Sequence, residues 1–225
     1  MIKQIKIFGE RNSGTNFITQ LLTQNVKGIE LCSGIYNGGT GWKHGAPKLN
    51  LFKNIKNTLF IFIIRDLEPW LKSMYVSPYH FIKSNTIDSF LNNKLKISEE
   101  RPNHDVNINQ HESNKTIFEL RYYKITKMAE AFAKVDNAII INLEDLQADG
   151  GETFIKEIRT RYSMDVATNF IPITTHTKTN EINKHTRDIN IDIHKYDQVI
   201  RRQKNYSIEK FVATLKNNNY RMKAA

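Results

Sequence analysis

The sequence predicts an α/β fold, a central parallel sheet flanked by helices. Three observations carry this. Short apolar runs at 2–8, 58–64 and 138–141 have the length and content of buried strands. Segments of helical period follow them, at 14–24, 68–75 and 152–162. Strands that alternate with helices in this way build a sheet whose strands run parallel.

Each element has its own reason. Residues 2–8 open the sheet, and a turn containing Gly9 and Gly14 leads into a helix to about Gln24 whose apolar face is Ile18, Leu21 and Leu22. A short second strand is expected at 28–32. Residues 33–48, SGIYNGGTGWKHGAPK, are glycine-rich and read as loop. The continuous run 58–64 suits a central strand buried on both faces. Arg65-Asp66 ends it, and a helix spans Glu68 to Tyr75 with Pro69 in its first turn. Residues 83–114 are polar and irregular, apart from a short helix near 86–93. A helix over 115–134 offers Ile117, Leu120, Ile125, Met128 and Phe132 to a core. Residues 138–141 form another buried strand and 152–162 another helix. Beyond 163 the pattern weakens, and only 207–217 reads as helical. No repeat and no linker divides the chain, so one domain over 1–225 is expected.

The 225 residues are 40% hydrophobic and 25% charged, the balance of a globular chain. Net charge is +10, from 33 basic and 23 acidic residues, which favours anionic ligands. The basic residues are scattered and match no nucleic-acid motif, so no specific nucleic-acid partner is expected. Cys32 is the single cysteine, which excludes an intrachain disulfide and a cysteine zinc cluster. The histidines, at 44, 80, 104, 111, 176, 185 and 194, lack His-x3-His spacing, so no metal is expected. The chain enters a strand at once, without a signal peptide, and its longest apolar run, 59–64, is too short to cross a bilayer. No transmembrane segment and a cytoplasmic location are therefore expected. Oligomeric state is left open.

The stretch IKIFGERNSGTNF, residues 5–17, carries the most chemistry. Gly9-x4-Gly14 has the glycine spacing of a Walker A loop, but Thr15 and Asn16 stand where Lys and Ser or Thr belong. Without that lysine and hydroxyl, triphosphate and magnesium lose their main partners. An anion is still favoured, because the loop runs into a helix N-terminus. Ser13 and Thr15 add hydroxyls, Asn12 and Asn16 add amides, and Arg11 adds a charge. The plain alternative is a strand-to-helix turn capped by Ser13. A second element, RDLEPWLKS at 65–73, follows the most apolar strand, where ligands collect in open parallel sheets. Its plain alternative is that Arg65 and Asp66 only cap the strand and helix.

These residues resemble the P-loop-like sulfotransferases that use 3′-phosphoadenosine 5′-phosphosulfate (PAPS). That family's first loop, Lys-Ser/Thr-Gly-Thr-Thr-Trp, cradles the 5′-phosphosulfate, and the matching run is Asn12-Ser13-Gly14-Thr15-Asn16-Phe17. The family places an arginine at a strand end and a serine eight positions later on the 3′-phosphate, a spacing that Arg65 and Ser73 repeat. INLEDL at 141–146 is similar to its Tyr-Glu-Asp-Leu stretch, and WKHGAP at 42–47 to the region of its catalytic histidine. The resemblance runs in order from residue 2 to about 160. Asn12 departs from the loop lysine, with Arg11 one place earlier, and Phe17 stands for the adenine-stacking tryptophan. The late Arg-Lys-Gly segment has no clear counterpart, with Arg187 or Arg201-Arg202 as candidates.

The resemblance implies a P-loop-containing, sulfotransferase-like fold and transfer of SO₃ from PAPS, without metal, to a hydroxyl or amine of a small-molecule or glycan acceptor. It leaves 3′-phosphoadenosine 5′-phosphate (PAP). It makes His44 the general base, with Lys43 holding the bridging oxygen or sulfuryl group and Arg11 the leading cation. Glu10 is the rival base. Glu144 and Asp145 read as helix cap and loop anchor. Trp42, Tyr36, Tyr79 and Phe81 line an acceptor pocket or belong to the core, whereas Trp70 and Tyr75 read as packing. The irregular segment 76–114 is expected to shape the acceptor pocket. The competing readings are a nucleotide kinase with a degenerate loop and a nucleotide-binding protein without catalysis.

Overall fold

The apolar runs form the strands expected of them. The computed structural model describes residues 1–32, 41–97, 114–173, 189–192, 195 and 221–222. The helix expected at 207–217, Tyr36, Arg187, Arg201, Arg202 and the histidines at 104, 111, 176, 185 and 194 lie outside them. Strands β1 (Gln4–Gly9), β2 (Glu30–Cys32), β3 (Thr58–Ile64) and β4 (Ala138–Asn142) are parallel, in the order β2-β1-β3-β4. The fold is α/β. A two-residue strand β5 (Arg221–Met222) runs antiparallel along β4.

Helices α1 (Thr15–Asn25), α2 (Leu67–Val76), α3 (Ile87–Asn92), α4 (Ile117–Lys134), α5 (Leu143–Ala148) and α6 (Glu152–Tyr162) connect the strands or follow them. Most ends fall within about two residues of the sequence expectation. The exception is α5, which stands where only a cap and an anchor were expected.

The described chain groups into two compact units. The first holds residues 1–66, 127–176 and 212–225, and the second 67–126 and 177–211. In the first, alternation along the strands divides the side chains. Ile5, Ile7, Leu59, Ile61, Ile63, Ile139 and Ile141 pack with Ile18, Leu21 and Leu22 of α1 and with Phe154, Ile155 and Ile158 of α6. The intervening positions carry aromatic rings: Phe8 stacks on Phe62 at 5.9 Å, and Phe52 meets Phe60 edge-on at 4.9 Å. Phe132 of α4 caps this face against Phe62 at 6.3 Å.

Asn25 ends α1 fully buried. Its amide donates to Leu21 O and Ile171 O and accepts from Ile171 N, which fastens the segment after α6 to α1. In the second unit, Trp70, Leu71 and Met74 of α2 pack with Phe90 and Leu91 of α3 and Phe118 of α4. Trp70 is core, as expected, and the Arg121 guanidinium lies 4.8 Å over its ring. Tyr75 is half-buried against Phe90.

Candidate functional site

The strand order sets the site. The chain steps from β1 out to β2, then crosses back to β3 on the other side of β1. Such a reversal opens a crevice at the carboxyl ends of the two central strands, where open α/β sheets bind ligands. The loop after β1 and the Arg65-Asp66 pair after β3 are those two ends, both in the first unit.

The first loop is tightly turned. Asn12 and Gly14 are both left-handed, with φ 61° and 89°. Asparagine tolerates that region and glycine is at ease in it. Turns of this kind gather successive N–H groups into an anion-binding concavity. Ser13 is buried, and its hydroxyl donates to Glu10 O at 2.7 Å, closing the loop on itself. It does not cap α1: Gly14 is the N-cap, without a side-chain bond. The glycines also have packing reasons. A Cβ on Gly9 would lie 2.6 Å from Ile63 Cγ2, and one on Gly14 2.4 Å from Leu143 Cδ1. Glycine spacing alone therefore does not argue for phosphate.

The side chains argue more strongly. Residues 41–45 lie along the first loop, 27 to 35 positions away in sequence. Gly9 N donates to Lys43 O at 2.9 Å. His44 Nδ1 stands 3.0 Å from Gly9 O and 3.2 Å from Glu10 O. Both are acceptors, so Nδ1 carries the proton and Nε2 is the basic nitrogen. The Lys43 ammonium donates to the Asn16 side chain, which occupies the place of the Walker hydroxyl. Burial holds the Lys43 ammonium below its usual range. Arg11, also buried, lies 4.3 Å over the Trp42 ring, whose other neighbour is the His44 ring, edge-on at 5.0 Å.

Arg65 arrives from β3. Its Nη1 donates to Asn12 O, and its Nε to Glu144 Oε1, both at 3.2 Å. Glu144 Oε2 accepts from Asp66 N at 3.0 Å, so it is the anchor expected of it. The cap of α5 is Asn142, whose side chain accepts from Glu144 N at 2.8 Å and donates to Asp66 at 2.9 Å.

Of the other nominated residues, Thr15 is buried, Asn16 is exposed, and Phe17 is half-buried against the core of the first unit. Glu10 is buried, its carbonyl serving His44 and Ser13. Ser73 is buried on α2 in the second unit. Tyr79 is 39% exposed, and Phe81 belongs to the core of the second unit.

Sequence reasoning missed Lys6. It sits inside β1, 0% exposed, and its Nζ donates to Gly41 O at 2.6 Å. Burial, with some repulsion from Lys43, lowers its ammonium to about 8. The available signal was a lysine within a strand expected to be buried. A separate cleft of about 670 Å³, lined by Ile155, Arg159, Val166 and Phe170 among others, touches none of the nominated residues.

Among the described residues, no helix is long and apolar enough to cross a membrane, and no three of His, Cys, Asp and Glu gather to hold a metal ion. No family model, no curated protein and no solved structure matches this chain, so the site rests on its own geometry.

Proposed function

We propose that the chain is a sulfotransferase of P-loop, sulfotransferase-like fold that moves SO₃ from PAPS to a hydroxyl or amine of a small-molecule or glycan acceptor in the cytoplasm. The observation that supports the reading is that Lys43 and Arg65, from two other segments, both bond to the loop 9–16, at Asn16 and at Asn12 O, beside the loop's own Arg11 and at the switch point of the sheet. Basic side chains bonded to a loop that runs into a helix N-terminus suit an anionic ligand, with Glu144 offsetting part of the Arg65 charge.

In this reading the N–H groups of Gly14 and Thr15 receive the 5′-phosphosulfate. Lys43 replaces the missing loop lysine from outside the loop, and Arg11 adds a second charge from beneath Trp42. Arg65 takes the 3′-phosphate. Sulfuryl transfer, like phosphoryl transfer, needs its negative oxygens held in line and its leaving phosphate stabilised. The acceptor oxygen or nitrogen forms a bond to sulfur. The bond from sulfur to the bridging phosphate oxygen breaks, and PAP leaves with its electron pair. The acceptor's proton passes to His44 Nε2, the nitrogen left basic when Nδ1–H donates to Gly9 O and Glu10 O.

The test is turnover of PAPS with a panel of hydroxylated glycans and phenols. His44→Ala is expected to lose about 10²–10⁴ in rate, well beyond any loss it shows in PAP affinity. Wild-type turnover in His44→Ala, with loss in Glu10→Ala, would move the base to the carboxylate. PAP binding without turnover of any acceptor would replace the enzyme with a nucleotide-binding protein.

A further inference from the structure

Lys6 is an expensive residue for its place. A buried ammonium forfeits its hydration, and apolar strand neighbours do not return it. Ile5 and Phe8 beside it are fully buried, and Phe60 is its register partner on β3. Its Nζ lies 5.2 Å from the centre of the Phe8 ring. Its bond to Gly41 O reaches the start of the segment that carries Trp42, Lys43 and His44. Gly41 has φ 79°, a conformation in which a Cβ is strained and which glycine adopts at no cost.

Three ties then join β1 and its loop to the segment: Lys6 to Gly41, Gly9 to Lys43, and His44 to Gly9 and Glu10. The first begins inside the strand, three residues before the loop. We propose that Lys6 is a positioning residue that sets segment 41–45 against the first loop, delivering Lys43 and His44 to the site. The segment's arrangement is a property of the ligand-free protein, and its consequence for PAP rests on the function proposed above.

The experiment compares wild type, Lys6→Met, Lys6→Gln and Gly41→Ala. Trp42 emission and its quenching by acrylamide, isolated by subtracting the Trp42→Phe spectrum, report the segment directly. Lys6→Met is expected to make Trp42 more accessible, to weaken PAP binding roughly 10- to 100-fold, and to leave Tm unchanged or raised. Gly41→Ala strains the segment's own backbone and shows that a displaced segment moves the Trp42 signal; Lys6→Gln, too short to reach Gly41 O, is expected to change Trp42 in the same direction, and it decides the matter if Lys6→Met does not fold. Wild-type quenching of Trp42 in either Lys6 variant overturns the proposal, as does a lowered Tm in Lys6→Met with PAP affinity retained. Failure of the wild-type protein to bind PAP would sink the sulfotransferase reading instead, while the Trp42 comparison would still decide the role of Lys6.

Discussion

Replacing Gly14 by alanine adds one methyl group at the joint between loop and helix. Two costs follow from the geometry. Gly14 has φ 89°, which costs an L-residue about 1–2 kcal/mol. The new Cβ would stand 2.4 Å from Leu143 Cδ1 and 2.9 Å from Cδ2, so Leu143 must move within a packed core, at about 1–3 kcal/mol. Together these give a loss of roughly 2–5 kcal/mol. Gly28→Ala is the control. It too has positive φ, at 67°, but its Cβ would meet nothing within 4 Å, so it should show the strain without the clash. Thermal and urea unfolding of both variants measure the difference. The Gly14 variant should melt below the Gly28 variant by roughly 2–10 °C. Leu143→Ala should cost less in the Gly14 variant than in wild type, through non-additive coupling. Equal losses at Gly14 and Gly28 would refute the packing of α5 on the loop.

Stability should respond to pH through Lys6, whose folded value of about 8 lies below its ordinary 10.5. Between those values the unfolded chain binds more protons, so stability rises with pH, by up to about 3 kcal/mol from this group. Lys43 acts in the same direction, and the raised Tyr162 phenol opposes it above its ordinary 10.0. The Lys6→Met variant, more stable near neutral pH, should lose that advantage by about pH 11. A constant difference across the range would mean Lys6 is not held below its usual range. Asn25→Leu removes bonds to Leu21 and Ile171 and should cost about 2–3 kcal/mol while PAP binding stays unchanged. A loss of PAP affinity there would tie the 165–171 segment to the site. Arg65→Ala should weaken PAP by roughly 2–3 kcal/mol, as calorimetry would report. An unchanged Kd would leave Arg65 a structural residue that ties Glu144 to Asn12.

Much of the sheet was legible because central parallel strands are nearly pure apolar runs. β3 was read to the residue, and β1 and β4 to within two at either end. The long helices were legible by period: Ile18, Leu21 and Leu22 all face the core. Helix α5 was not: its cap, Asn142, is the last residue of a strand, so no loop separates the two, whereas the equally short α3 follows a polar stretch that ends in its cap, Thr86. At the site, local features were visible and long-range ones were not. The loop 9–16 and the pair Lys43-His44 each stood out alone, but their contact depends on how the glycine-rich segment folds back along β1. The bond from Arg65 to Glu144 spans 79 positions and follows from β3 and β4 lying side by side. Lys6 was passed over because a lysine in a strand ordinarily faces water. Its burial follows from β1 standing between β2 and β3 and from residues 41–45 covering the strand's end.

The central claim is that the crevice at the ends of β1 and β3 holds a bisphosphorylated adenosine and not a magnesium triphosphate. Thermal unfolding with PAP, set beside ATP with Mg²⁺, tests it without knowledge of the acceptor. A ligand that binds only the folded protein stabilises it by about 2.7 kcal/mol at a hundred times its Kd, whatever its contacts. The account predicts a rise in Tm that grows with PAP concentration, is reduced in Arg65→Ala, and is absent with ATP and Mg²⁺. Stabilisation by ATP and Mg²⁺ with none by PAP would contradict it.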